Sequence, residues 1–341
     1  MLFFKNIKVM ENKNLHILIQ QLAEREKFAD WQIVPLSFCS PAIDIAMDNY
    51  RLTLQKGDFA QMSYLYDHLD IRQSPRLLLD NTDGSLQYCY YIIVFLASYH
   101  SDTLHDNGFA KIAQYALGTD YHIILKQKLN NILLQIKGQI DNATGRCFTD
   151  SAPVLERTLA SACGLGAIGK NGFLISKKAG IKTLIGGIIL GIPKESTDYC
   201  YDMGSCIVGK QNLFSLCGEC HRCMDACPTG ALYAPGRVNA DRCISYQTIE
   251  NRKGSFPSNL PNPHRYIFGC DSCLNACPWN GKNSPGMDEL VNLHPATKQL
   301  LCNPKEFLAS ISSSGFNKVF RNSPIGRAGR NKMLDTLNSL I

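Results

Sequence analysis

Two hydrophobic periods alternate along the first half of this chain. Leu15, Ile17, Leu18, Leu22 and Ala23 recur at helical spacing and predict an amphipathic helix over 12–30. Trp31–Phe38 reads as a strand, and Tyr90–Leu96, rich in aromatic and β-branched residues, reads as a second. Ile123, Leu125, Leu129, Ile132, Leu133 and Ile136 return to the helical period and predict a helix over 119–138. Arg146–Thr149 is a short strand. Asp150-Ser151-Ala152-Pro153 then opens a helix to about Cys163, with Asp150 or Ser151 as its cap and Pro153 in the first turn. Phe173–Ser176 and Lys182–Leu190 add two strands. This alternation predicts a layered α/β domain over 1–195.

The periodicity fades after that. Residues 196–216 hold Cys200 and Cys206 and read as a loop or insertion. A cysteine-rich segment covers 217–285, interrupted by a connector, Phe256–His264, with Pro257, Pro261 and Pro263. The segment 286–341 reads as helical and basic. The only internal repeat is the pair of cysteine motifs.

Those motifs carry the strongest chemical signal. Cys217, Cys220, Cys223 and Cys227-Pro228 form C-x2-C-x2-C-x3-C-P, the run that holds iron–sulfur cubes in bacterial ferredoxins. Cys270, Cys273 and Cys277-Pro278 repeat its second part, and Cys243 supplies the missing thiol. Eight thiolates suit two [4Fe–4S] clusters. The cysteine before proline ligates the other cluster. Cluster 1 is therefore assigned to Cys217, Cys220, Cys223 and Cys277, and cluster 2 to Cys243, Cys270, Cys273 and Cys227. Structural zinc also uses C-x2-C pairs but has no use for the x3-C-P ending. A disulfide framework belongs to small secreted scaffolds, not to 341 residues.

Composition places these clusters in a reducing, cytoplasmic setting. No apolar run approaches a membrane span, and no secretory leader is visible. Charge is uneven. Residues 1–150 carry 14 basic and 16 acidic side chains, whereas 151–341 carry 21 and 13. Between Lys298 and Lys332 stand seven basic residues and one acidic residue, Glu306. Such a half suits a polyanionic partner, or simply a solvated basic face.

Other motifs are weaker. Gly164-Leu-Gly166-Ala-Ile-Gly169-Lys170 contains G-x-G-x-x-G, but a helix precedes it and a strand follows, the reverse of a dinucleotide fingerprint. It can still bring backbone close to another ligand. Asp120 reads as a helix cap, His122 as structural and His221 as exposed. Cysteines 39, 89, 147, 163, 200, 206 and 302 lack ligand spacing and read as small apolar residues.

Taken together, the motifs resemble the epoxyqueuosine reductases. The matching stretches are Tyr115-Ala-Leu-Gly-Thr-Asp120-Tyr121-His122, Phe148-Thr-Asp150-Ser-Ala-Pro-Val-Leu-Glu-Arg157 and Gly164–Asn171. They continue through Cys217–Thr229, Asp241-Arg-Cys243-Ile-Ser-Tyr-Gln-Thr-Ile-Glu250, Gly269–Asn280 and Phe320–Arg330. The resemblance implies a nitroreductase-like α/β domain that binds base-off cobalamin, followed by a ferredoxin-like double-cluster domain and the basic helical segment, an α+β protein and a monomer. It implies tRNA as substrate and a flavodoxin or ferredoxin as electron donor. It makes Asp150 the proton donor, with a pKa raised by burial. It gives Arg157 to tRNA, and Arg327 and Arg330 in the basic tail with it. Arg72, Asp150, Lys170, Ser245 and Gln247 become candidate cobalamin contacts. The chain departs from the family pattern at Ala167, where tryptophan is usual, and in the length of 196–216. These departures keep open a paralogous cobalamin-dependent reductase with another substrate, and the competing class is a corrinoid reductase or activator; neither acts on tRNA.

Overall fold

The two periods become a sheet with a helical layer on each face. A computed structural model describes residues 15–79, 86–101, 109–196, 213–251, 256–261, 265–281 and 286–340. The chain runs through α1 (Leu15–Arg25), β1 (Asp30–Pro35), α2 (Ser40–Gln55), α3 (Leu69–Gln73), β2 (Tyr88–Ser98) and β3 (Lys111–Ile112). It continues with α4 (Tyr121–Lys137), β4 (Thr144–Phe148), α5 (Glu156–Ala162), β5 (Ala167–Ile168), β6 (Leu174–Ile175) and β7 (Thr183–Pro193). Strands β1, β2, β7 and β4 lie side by side in that order, and every neighbouring pair is antiparallel.

Alternation along β2 builds two cores. Tyr91, Ile93, Phe95 and Ala97 pack against α1 and α4. Ile92, Val94 and Leu96 face the other way, onto Met47 of α2 and Leu159 and Ala160 of α5. A strand covered on both faces loses the polar half of its alternation. That is why β2 reads as an unbroken apolar run.

Among the boundaries that differ from the sequence reading, three carry a physical reason. Residues 12–14 lie outside the described part, and α1 ends at Arg25 before Lys27, whose positive φ of 61° cannot continue a helix. The strand begun at Trp31 stops at Pro35, which has no N–H to extend the ladder, and Leu36–Cys39 form a tight turn into α2. Most consequentially, the helix expected from Asp150 begins only at Glu156. Asp150 has a left-handed φ of 48°, unlike the extended conformation of a cap, and its carboxylate serves α4 instead.

The cysteine segment folds as α6 (Arg222–Asp225), a hairpin of β8 (Leu232–Ala234) and β9 (Arg237–Val238), α7 (Ile244–Ile249), β10 (Tyr266–Phe268) and α8 (Ser272–Asn275). Five further helices follow: α9 (Asp288–Val291), α10 (Pro295–Cys302), α11 (Pro304–Ser310), α12 (Ser313–Val319) and α13 (Arg330–Asn338). The segments anticipated from sequence are physically joined. Strand β10 pairs in parallel with β3, and Ala110, Ile112, Ala116 and Leu117 share one core with Leu300, Phe316, Phe320 and Met333. Within the loop or insertion expected over 196–216, residues 197–212 lie outside the described part. No described helix is long and apolar enough to cross a membrane.

Candidate active site

Asp150 stands where β4 leaves the sheet, and α4 aims its first turn at it. Asp120 caps α4 by accepting from the His122 backbone N–H at 2.9 Å. The same carboxylate oxygen lies 2.8 Å from His122 Nδ1, and His122 Nε2 lies 3.2 Å from Asp150 Oδ2. Tyr121 Oη donates to that Oδ2 at 2.6 Å. From the other side, the Asp150 backbone N–H donates to the Glu156 carboxyl group at the start of α5. Three side chains from two helix starts, Tyr121, His122 and Glu156, thus converge on one aspartate held in an uncommon backbone conformation, and Asp120 braces His122. Such conformations persist only when surrounding contacts enforce them.

The electrostatics reverse the expectation for Asp150. Hydrogen bonds from His122 and Tyr121 outweigh burial and bring its carboxyl down to about 2. Burial opposes charge on His122, but its bonds to Asp120 and Asp150 win and raise it to about 9. Glu156 is pushed up to about 8, first by burial and then by the Asp150 charge. The group therefore holds an ionised Asp150 between two protonated neighbours at neutral pH. His122, read from sequence as structural, is a member of this cluster, and so is Glu156.

All five of these residues line a cavity of about 770 Å³ between the sheet and the cysteine segment. Cys243, Ser245 and Tyr246 border it from α7 and its approach, and Cys270 and Asp271 from the turn into α8. The tail adds the buried Phe320 and, at the solvent-exposed edge, Arg321 and Arg327. Two of its buried polar atoms, Asp271 Oδ1 and Thr183 Oγ1, lack a hydrogen-bond partner in the described structure. Buried acceptors and hydroxyls are rarely left so. A polar ligand here would satisfy them.

The eight motif thiols fall into two sets. Cys217, Cys220, Cys223 and Cys277 ring a second, smaller cavity with Lys170 and Trp279. Cys243 is within electrostatic reach of Cys227, Cys270 and Cys273. Cys223 and Cys273 link the sets, carried by α6 and α8. Among the described residues no three His, Cys, Asp or Glu side chains gather tightly enough for one metal ion. A thiol ring wider than a single ion's shell suits a cube, because each cysteine binds a different iron corner.

The remaining candidates scatter. Lys170 lies beside the first thiol ring: its backbone N–H points at Cys217 Sγ at 3.5 Å and its Nζ donates to Gly218 O at 2.7 Å. The glycine run before it is a packing device, since a Cβ on Gly166 would collide with the Ile175 backbone. Arg72 is buried with its guanidinium over the Tyr50 ring at 5.3 Å, and it does not border the large cavity. Gln247 is buried too, donating to Asp241 O at 2.6 Å, and Ser245 alone of that pair faces the cavity. Arg157 lines the cavity, donates to Gly172 O at 3.0 Å and covers Phe173. Arg327 is held by Glu250 at 2.7 Å. Arg330 donates to Leu308 O at 2.9 Å and stays away from the cavity, joining the tail helices. Of the cysteines outside the motifs, Cys39 and Cys163 are buried as small apolar residues should be, whereas Cys302 is exposed.

Comparison with known proteins gives this arrangement a family. Residues 216–280 match the 4Fe-4S double cluster binding domain, and residues 72–151 match the family described as Epoxyqueuosine reductase QueG, DUF1730. The epoxyqueuosine reductase of Cellulophaga algicola is 35% identical over 281 residues, covering 81% of this chain and 84% of that one. That of Xanthomonas campestris is 34% identical over 306 residues, covering 85% and 81%. The chain belongs to the epoxyqueuosine reductase family. Solved structures share the fold. The Streptococcus thermophilus epoxyqueuosine reductase superposes with a TM-score of 0.73 at 24% identity, over 96% of this chain and 80% of that one. An epoxyqueuosine reductase solved with an epoxyqueuosine-modified tRNA-Tyr stem loop gives 0.73 at 23% identity, over 95% and 81%. An epoxyqueuosine reductase thus combines, in this chain, a titratable cluster and a double-cluster segment across one cavity.

Proposed function

We propose that this epoxyqueuosine reductase converts epoxyqueuosine to queuosine in tRNA, using two electrons and two protons and releasing water. One observation carries the reading. A single cavity is lined by Cys243 and Cys270 from the cysteine segment and by the Asp150–His122 pair from the sheet domain. Electrons and protons would therefore reach the same space from different elements.

The chain's own residues divide the work. Two [4Fe–4S] clusters are held by the crossed thiol sets, cluster 1 by Cys217, Cys220, Cys223 and Cys277 and cluster 2 by Cys227, Cys243, Cys270 and Cys273. The unsatisfied Thr183 and Asp271 and the neighbouring Ser245 fit the polar rim of a cobalamin in the cavity. Bound there, the corrinoid supplies the low-potential cobalt centre that makes C–O cleavage feasible. Breaking that bond places negative charge on oxygen, which an acid must quench. Asp150 contacts the substrate and delivers the proton. Because Asp150 rests ionised, His122 holds that proton until it is needed, and Tyr121 and Asp120 keep the pair in register. Glu156, protonated near neutrality, is the second proton source within the cluster. Arg157 and Arg327 give the mouth the positive charge that a phosphate backbone requires.

The decisive test is nucleoside analysis of tRNA from a strain lacking this gene. Accumulated epoxyqueuosine, reversed by the wild-type gene, is the expected outcome. Unchanged queuosine would overturn the reading and leave a corrinoid reductase without an RNA substrate.

A further inference from the structure

Beside the cavity mouth lies a short segment that the chemistry above does not use. Between α2 and α3 the chain makes a tight turn, Ser63–Tyr66, and Met62 just before it borders the cavity. Tyr64 is 47% exposed and Tyr66 52% exposed. Large aromatic rings left in water at one spot call for an explanation, since each forfeits favourable burial. Tyr64 does not itself line the cavity, but its hydroxyl touches Met62, which does, and stands within electrostatic reach of the lining residues Arg327, Glu250 and Asp150.

The segment is pinned. Tyr50 Oη donates to Leu65 O at 2.6 Å, and Tyr66 Oη donates to Leu54 O at 3.1 Å, so the chain just after Tyr64 is tied twice to α2. The Gln61 backbone N–H donates to Tyr246 Oη at 3.2 Å, tying the turn to α7. Among the described residues, Tyr64 Oη donates only to Met62 Sδ, at 3.3 Å, just before its own turn. The hydroxyls of the neighbours fix backbone, while the Tyr64 ring is left free on a rigid base.

We propose that Tyr64 is a stacking platform for an unpaired RNA base next to the nucleotide whose base enters the cavity. The inference rests on the tRNA reading above. A nucleotide admitted to the cavity must leave its stack, and its neighbours then lose a partner. Single-stranded bases recover that loss on aromatic side chains, with cations alongside for the phosphates. Exposed Arg321 and Arg327 occupy the same mouth and supply those cations. Tyr64 adds affinity without adding charge.

The test separates stacking from charge. Wild-type protein, Tyr64→Ala, Tyr64→Phe and Arg327→Ala are titrated with a fluorescent tRNA anticodon stem loop across a salt series. Tyr64→Ala should weaken binding about 5- to 150-fold, the range for one lost base–aromatic stack. Its dependence of log K on log salt should keep the wild-type slope, and Tyr64→Phe should bind like wild type. Arg327→Ala should flatten the slope by about one unit. Wild-type affinity in Tyr64→Ala overturns the platform, as does equal loss in Tyr64→Phe, which would assign the effect to the hydroxyl. Circular dichroism and melting of Tyr64→Ala matching wild type exclude a folding cause. If wild-type protein itself binds no stem loop, the tRNA reading fails first, and that result is distinct from RNA binding that ignores Tyr64.

Discussion

The two thiol sets share a motif but not a setting. The set of Cys217, Cys220, Cys223 and Cys277 rings a small cavity with Lys170 and Trp279, and exposed Glu219 and His221 stand in its loop. The set of Cys227, Cys243, Cys270 and Cys273 lies inward, with Cys243 and Cys270 in the wall of the large cavity. Burial pushes the Cys270 thiol up to about 11 and Cys273 well beyond its ordinary value, and it raises Cys223 and Cys277 of the outer set too, so position rather than ionisation separates the sets. The difference suggests a direction. We propose that the outer set accepts electrons from a small redox protein, flavodoxin or ferredoxin, and the inner set passes them to the cavity. The basic half of the chain would also attract such acidic partners.

The largest expected effect comes from breaking that relay. Cys243→Ser should abolish turnover and remove one cluster's signal from the electron paramagnetic resonance spectrum, leaving the other. Cys277→Ser should resemble Cys217→Ser spectroscopically, although Cys277 belongs to the second motif in sequence. If it resembled Cys273→Ser instead, the crossing would be wrong.

The next effect concerns protons. Asp150→Asn should lower turnover about 10²- to 10⁴-fold, the range for a lost general acid, with cluster content unchanged. Turnover should fall as pH rises through about 8 to 9, where Glu156 and His122 lose their protons as a coupled pair. Removing His122 as His122→Gln should leave the limb near 8, and Glu156→Gln should leave it near 9. A limb unmoved in both variants would remove these residues from proton delivery. Stability follows the same groups with opposite signs. His122 is raised from 6.5 to about 9, so its contribution is complete below 6.5 and is lost as pH climbs through 9. Asp150 is lowered from 3.8 to about 2, so its contribution is complete above 3.8 and is lost as pH falls through 2. The pair should support melting temperature most between those limits, modestly, because Asp150 is half exposed and solvent screens it. Double substitution should flatten that part of the profile.

A smaller effect is expected at the mouth. Arg327→Ala should weaken stem-loop binding severalfold at moderate salt. Glu250→Gln should tighten it, because Glu250 occupies Arg327 at 2.7 Å in the free protein. Binding unchanged in both would move the phosphate contacts elsewhere on the basic half.

What could be read from sequence follows how local each signal is. The thiol pattern and the helix at Ile123–Ile136 were legible because spacing alone encodes them. Asp150 was legible as a motif, but its conformation was not. The strand–turn–helix reading assumed that its carboxylate serves the nearest backbone, whereas Tyr121 and His122, 29 and 28 residues away in sequence, compete for it successfully. His122 looked structural because nothing adjacent shows that the start of α4 meets the end of β4. Lys170 and Arg72 matched a motif while folding toward other partners, a thiol ring and the Tyr50 face. Asp271 was hidden between two ligands whose spacing drew all attention.

Lys170 offers the finest test of the contrast between the two sets. From sequence it is a candidate cobalamin contact, yet its buried side chain donates to Gly218 O beside the outer ring. A cation next to a cluster favours the reduced, more negative state, and net charge and hydrogen bonding are among the levers that set such potentials. Lys170→Gln preserves most of the side chain's volume and removes the charge. Potentiometric titration should then show the outer cluster harder to reduce, by roughly tens of millivolts, where about 59 mV is tenfold for one electron. The inner cluster's potential and the cobalamin absorption titration should stay at wild-type values. Weakened cobalamin binding with both cluster potentials unchanged would return Lys170 to the corrinoid and dissolve the electrostatic distinction between the sets.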